Sequence, residues 1–369
     1  MVKMSSNRNN GKILDNFSKE LKEFVDKNFQ GVSSGMNVLV GRNSFEMSYF
    51  IGEIPELKFK YGEDTVYDMA SLTKPIATAT TTMKFIENGR LSLDDTLGSL
   101  GLYSSDLLIS NVTIRQLITH TSGLTPGFPL YNYGKTKKDY LRTIGLMHQH
   151  NTLPLSEEYS DLNFILLAYA LEEVSGTTLD VLAKEEIFSP LSMKNTYFNP
   201  DVEKEHIAPT EEDPERGMPV WGKVHDENSY YNGGICGHAG LFSNAKDLSI
   251  FVKALLNGKI IRKETLNLMV TPQNQNVGGM FGLGWMIKVP RPPVPGPSFG
   301  YNAFMGETVN YGAFGHTGFT GTSICIDPRT GAYAIVLSNR VYPTRENIRI
   351  LKFRRRFHNF VFSVLNNSD

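Results

Sequence analysis

A serine followed three residues later by a lysine, Ser71-Leu72-Thr73-Lys74, is the strongest chemical signal in this 369-residue chain. A serine hydroxyl is a poor nucleophile until a neighbouring base takes its proton. Residues three apart on a helix share a face, so the Lys74 amine lies near the Ser71 hydroxyl. A lysine in a dry site loses its own proton more readily and serves as that base or as a relay. The N-terminus of a helix adds a positive field where an oxyanion would develop. Pro75 fits the first turn of such a helix, where a missing N–H costs least. Alone, the tetrapeptide is better explained as a chance pairing on an ordinary helix.

The flanking pattern supplies a setting for it. A strand-like run at residues 65–69 leads into Ser71, and residues 72–87 read as a helix closed by Asn88-Gly89. Upstream, Ile13, Leu14, Phe17, Leu21, Phe24, Val25 and Phe29 fall at helical spacing, and two strand-like runs follow at 37–41 and 47–51. The middle is helical in pattern, with clear cases at 162–174 and at 245–256, the latter capped by Ser243 or Asn244. Strand pattern returns at 283–289, 313–314, 322–326 and 332–337, before a closing helix over 348–365 with Thr344 as cap. The economical reading is an α/β (α+β) chain whose two ends, residues 1–87 and 276–369, share one sheet, with a mainly helical domain over 88–275 inserted.

Two further segments give the serine a context. Tyr159-Ser160-Asp161-Leu162-Asn163 precedes a helical stretch, and Phe314-Gly315-His316-Thr317-Gly318-Phe319 enters a C-terminal strand. Ser-x-x-Lys, Tyr-x-Asn and Lys-Thr-Gly in that order resemble the motif set of class C β-lactamases and related penicillin-binding proteins, esterases and D-peptidases. Residues 112–124, 240–248 and 89–95 resemble further stretches of that family, so the likeness spans roughly residues 40–340. It implies an antiparallel sheet flanked by helices, a helical region, and an active site in the cleft between them. It also implies acyl transfer with no metal and no organic cofactor. Ser71 would attack a carbonyl, Lys74 and Tyr159 would move protons, and the backbone N–H groups of Ser71 and Phe319 would hold the oxyanion. Asp161, His316, Thr317 and Gly318 would contact substrate.

Two departures from that pattern bear on the substrate. The third motif's lysine is His316, which near a reference pKa of about 6.5 is only partly charged, so a substrate carboxylate should be anchored more weakly. Asparagine is replaced by Asp161, which when ionised only accepts hydrogen bonds. Either the substrate offers a donor there, or Asp161 pairs with Lys74, or it caps the following helix.

Composition narrows the partners. Hydrophobic residues make up 40% and charged residues 20%, as in a globular protein with a large core, and the net charge of -1 gives no footprint for nucleic acid. The basic run at 352–356 reads as the solvated face of a terminal helix. No membrane-length apolar stretch and no leader pattern occur, and the two cysteines, Cys236 and Cys325, are too few for a disulfide framework, so a cytoplasmic protein is expected. Gly31-Val32-Ser33-Ser34-Gly35 lies between a helix and a strand, the wrong order for a nucleophile elbow. The groups His148/His150 and His225/Asp226/His238 lack zinc spacing, and the second reads as a shaper of the cleft loop. His120 reads as a buried turn residue. The expected activity is a serine hydrolase on small esters or on D-amino-acid amides or peptides, with feeble action on β-lactams. The alternatives are a dedicated β-lactamase and a non-catalytic binding or sensor protein of the same fold.

Overall fold

The structure is a computed structural model and describes residues 8–148, 156–298 and 300–366. His150 lies outside them. Ten strands are present among the described residues: β1 (Gly35–Arg42), β2 (Phe45–Ile54), β3 (Phe59–Lys60), β4 (Tyr67–Asp68), β5 (Tyr197–Phe198), β6 (Leu241–Ser243), β7 (Met286–Ile287), β8 (Phe314–Thr317), β9 (Ser323–Asp327) and β10 (Ala332–Ser338). Seven form one sheet in the order β3-β2-β1-β10-β9-β8-β7, with every neighbouring pair antiparallel. The chain's two ends meet at its centre, where β1 pairs β10 from Met36 opposite Ser338 to Arg42 opposite Ala332.

β10 is buried along its whole length and β1 to its last residue, which requires a layer on each face. The helix Ile350–Leu365 packs on β10, and the helix Ala245–Leu256 packs on both β1 and β10. The helix Arg8–Phe29 joins the first of these, with Phe24 stacked on Phe360 at 4.8 Å between ring centroids. β2 instead alternates between half-buried and exposed residues, the mark of a strand covered on one face only.

Some expected elements change form. The strand foreseen at 283–289 contracts to β7, because Leu283 and Gly284 donate their N–H groups to Met269 and Ile118 instead of to a neighbouring strand. Asn244, not Ser243, caps the helix Ala245–Leu256, its side chain accepting from the Asp247 N–H at 2.9 Å. The closing helix begins at Ile350, and Thr344 does not cap it; its hydroxyl accepts from Glu346 within the preceding turn. The basic run is only partly solvated, since Phe353 and Arg354 are buried.

A second sheet, β4-β6-β5, matters more for chemistry than for size. Tyr67 pairs Ser243 and Asp68 pairs Phe242, and Met69 continues the ladder by donating to Leu241. Ser71 therefore emerges two residues past a strand that is tied down on its partner.

Candidate active site

The turn into Ser71 is sharp. Ala70 has φ 46°, a left-handed conformation that a residue with a Cβ adopts only at a cost of about 1 kcal/mol or more. The Asp68 carboxylate holds the turn by accepting the Ala70 N–H at 2.7 Å. Thr320 and Thr322 brace it from the large sheet, their hydroxyls donating to the carbonyls of Asp68 and Met69. The helix expected over 72–87 is composite: a 3-10 turn at Ala70–Leu72, a π-helical segment at Lys74–Ala79, and an α-helix at Thr80–Glu87. Wide turns of this kind are rare and recur at functional sites.

Lys74 is fully buried, yet its ammonium uses three donors on three partners. Nζ lies 2.8 Å from the Ser71 Oγ, 3.1 Å from the His238 carbonyl and 2.7 Å from the Asp161 Oδ1. Burial pulls the Lys74 pKa down, but Asp161 and then Tyr159 outweigh it, and the group lies above the ordinary lysine value. Of the roles open to Asp161, the structure shows the pairing with Lys74. The residue opens the helix Asp161–Ser175 at its first position, with Ser160 as the preceding cap residue, and its carboxylate is committed to Lys74.

Tyr159 closes the triangle. Its phenol faces both Lys74 and Ser71, and burial raises its pKa against the pull of the Lys74 charge. The Lys74 ammonium also sits 5.0 Å from the centre of the Tyr159 ring. Behind it, His120 accepts the Ser160 N–H on Nδ1 at 3.1 Å, and its ring packs 4.7 Å from that of Tyr159. Burial and the nearby Lys74 push His120 well below the usual histidine range, so it is a neutral, buried turn residue, as its sequence context suggested.

His316 corrects an expectation. It is fully buried, and desolvation first and Lys74 second push its pKa down to about 3. At neutral pH it carries no charge, full or partial. Its Nδ1 lies 2.8 Å from the Thr317 carbonyl, which can only accept, so the proton sits on Nδ1. Thr317, Gly318 and Phe319 do reach the cleft, whereas His316 stands behind it. Gly318 admits no side chain: a Cβ would fall 2.1 Å from the Thr322 Oγ1 and 2.4 Å from the Met69 carbonyl. That close approach brings the third motif against the turn that carries Ser71. Among the described residues no hydrogen bond occupies the Phe319 N–H, leaving it free to donate into the cleft.

Ser71 and Tyr159 open onto a cleft of about 810 Å³ that Tyr301, Phe319, Ile348 and Leu351 also line. Two buried arginines share its wall but are already occupied. Arg340 donates to the carbonyls of Phe319, Arg345 and Asn347, and Arg354 donates to those of Gly318 and Thr322, both at 2.7 Å. Burial and then Arg340 bring the Arg354 pKa down to about 9. These arginines brace the loop from Gly318 to Thr322.

Sequence reading missed the support beneath Lys74. His238, whose carbonyl accepts from Lys74, is fixed by its Nε2 at 2.8 Å from the Asp226 Oδ1. Burial pulls His238 down, but Asp226 overrides this and raises it well above the usual range. Asp226 and His238 are twelve residues apart with no periodic relation, so only the tertiary fold joins them. His225 pairs elsewhere, with Glu211 at 2.9 Å. Among the described residues no group of three or more His, Cys, Asp or Glu side chains is arranged to hold a metal ion. No helix among them is long and apolar enough to cross a membrane.

Comparison with known proteins places this geometry. The Beta-lactamase family model matches residues 25–357. A putative D-alanyl-D-alanine carboxypeptidase of Escherichia coli K12 is 32% identical over 313 residues, covering 75% of this chain and 69% of the relative. An N-acetylmuramyl-L-alanine amidase of Bacillus subtilis is 29% identical over 346 residues, covering 84% and 76%. Among solved structures, a D-amino acid amidase from Ochrobactrum anthropi superposes with a TM-score of 0.70 at 19% identity, covering 96% of this chain and 99% of that one. That last likeness is one of fold.

Proposed function

Because the chain belongs to the β-lactamase family of serine hydrolases, we propose that Ser71 is its nucleophile and that it cleaves small esters or D-amino-acid amides through an acyl-enzyme. The observation that carries this reading is the 2.8 Å contact of the fully buried Lys74 Nζ with Ser71 Oγ, in a triangle completed by Tyr159.

With Lys74 charged and Tyr159 neutral, neither group can take the Ser71 proton. The reactive form is therefore the one in which the Lys74–Tyr159 pair has lost one proton. In that form Ser71 Oγ attacks the carbonyl carbon, its proton passes to the pair, and the oxyanion settles between the N–H groups of Ser71 and Phe319. The pair returns the proton to the leaving alcohol or amine as the bond to it breaks. Water, deprotonated by the same pair, then attacks the acyl-enzyme, and Ser71 leaves with the proton.

His316 is neutral, and Arg340 and Arg354 donate to backbone carbonyls, so the third motif itself supplies no cation for a β-lactam carboxylate. This supports esters and amides over β-lactams as preferred substrates. The test is labelling with a fluorophosphonate read by intact mass, alongside turnover of p-nitrophenyl butyrate. The wild type should gain one adduct on Ser71, and Ser71→Ala should lose both label and turnover, the latter by several powers of ten. Activity of the alanine variant within about tenfold of wild type would refute the assignment.

A further inference from the structure

Large apolar side chains exposed singly are ordinary, but a group of them converging on one concave site marks a binding surface. Here Tyr301, Phe319, Ile348 and Leu351 are exposed by 50%, 50%, 65% and 58%, and all four line the cleft that opens from Ser71. Four basic residues line the same cleft. Arg340 and Arg354 are engaged by backbone carbonyls, Arg355 is paired with Glu307, and Lys352 is exposed on the helix Ile350–Leu365.

The direction of the reaction says which half of a substrate meets this wall. A carbonyl seated between the N–H groups of Ser71 and Phe319 sends its leaving group toward the proton donor, Tyr159. The Tyr159 ring meets that of Tyr301 edge-on at 5.6 Å. Tyr301, Ile348 and Leu351 line the same cleft as Tyr159. Resting on the assignment of Ser71 above, we infer that the enzyme acts on esters or amides whose leaving alcohol or amine carries an extended apolar group, and that Tyr301, Ile348 and Leu351 select for it.

Full burial of one methylene is worth about fourfold in binding. An open wall gives less, so kcat/KM should rise roughly tenfold or more from ethyl to octyl acetate. Alkyl alcohols of this series share one leaving-group basicity, so the gain reports contact with the wall and not bond cleavage. The experiment follows acetate release from ethyl, butyl, hexyl and octyl acetate below their solubility limits, and from the ethyl esters of acetic, butyric and octanoic acids. The alcohol series should rise and the acyl series should rise less. In the double variant Ile348→Asn/Leu351→Asn, whose exposed positions give the fold little stake, the octyl-to-ethyl ratio should fall toward one. A flat alcohol series, or a gain confined to the acyl series, overturns the inference while leaving Ser71 as nucleophile. If the flat series accompanies a wild-type dimer that the double variant splits, the wall belongs to a second copy of the chain. Absence of both fluorophosphonate label and turnover would sink the Ser71 assignment, and this inference with it.

Discussion

Replacing Asp161 by asparagine isolates the charge that holds Lys74 in its protonated form. The Asp161 Oδ1 lies 2.7 Å from a lysine nitrogen with no solvent exposure, and the carboxylate side chain is 31% exposed. Two unit charges about 4 Å apart at an effective dielectric near 20 attract by about 4 kcal/mol. Water at the exposed edge of Asp161 reduces that figure, and removing the charge should lower the Lys74 pKa. The wild type starts above the ordinary lysine value, so its kcat/KM on p-nitrophenyl butyrate should climb steadily from pH 6 to pH 9. In Asp161→Asn the climb should flatten, with the ratio of kcat/KM at pH 9 to that at pH 6 falling; about a tenfold fall corresponds to most of that ~4 kcal/mol. Loss of fold does not mimic this. A lysine whose folded pKa is raised contributes stability that is fully present below its unfolded value of about 10.5 and is lost only as the pH rises through the folded pKa. Across pH 6–9 that contribution is constant. An unchanged ratio in a well-folded variant would show that Asp161 does not set the protonation of the base, and would move the origin of the acid limb to Tyr159.

Tyr159→Phe should slow turnover of the same ester by roughly a hundredfold or more, with the circular dichroism spectrum unchanged; near-full activity would leave Lys74 as sole proton carrier. His316→Asn should leave the shape of the pH profile between 5 and 9 as it is, because His316 titrates near 3, whereas a displaced limb would show that it titrates in the working range. Acid should destabilise the fold early. His120, His316 and His358 are all held below the usual histidine range by burial, so each takes up its proton in the unfolded chain near 6.5 but not in the folded one. Stability therefore falls as the pH drops from 6.5, by about 1 kcal/mol per histidine between pH 7 and 5.5, and His238, with its raised pKa, opposes by a similar amount. Urea midpoints at the two pH values should show a net loss of about 2 kcal/mol; equal midpoints would contradict buried neutral histidines.

What the sequence made readable follows from how local each determinant is. Ser71 and Lys74 are joined by one helical turn, and a strand-like run before them and helical periodicity after them locate the junction. The pairing of the chain's ends was legible because strand pattern disappears between them. The helix Ala245–Leu256 illustrates the opposite case. Its periodicity and its cap at Asn244 are local, but its packing on β1 and β10 is not, so the sequence placed it with the inserted helices and said nothing of the sheet beneath it. The charge states were hidden for the same reason. His316 has the composition of a titrating group, and only full burial beside Lys74 turns it neutral. Arg354 sits in a basic run that reads as surface, yet it lies buried across the carbonyls of Gly318 and Thr322.

The reading of Asp161 turns on the same distinction. Its sequence context allowed three roles, and each required a different neighbour that no spacing rule could supply. The fold provides one: the fully buried Lys74, whose other two donors are taken by Ser71 and by the His238 carbonyl. A buried ammonium without a carboxylate would cost more than its two neutral acceptors return. The exchange of asparagine for aspartate thus stabilises the charged resting state and moves the reactive, once-deprotonated state to higher pH. An enzyme built this way trades activity at neutral pH for a rigidly held lysine, and the flattening of the pH profile in Asp161→Asn measures the size of that trade.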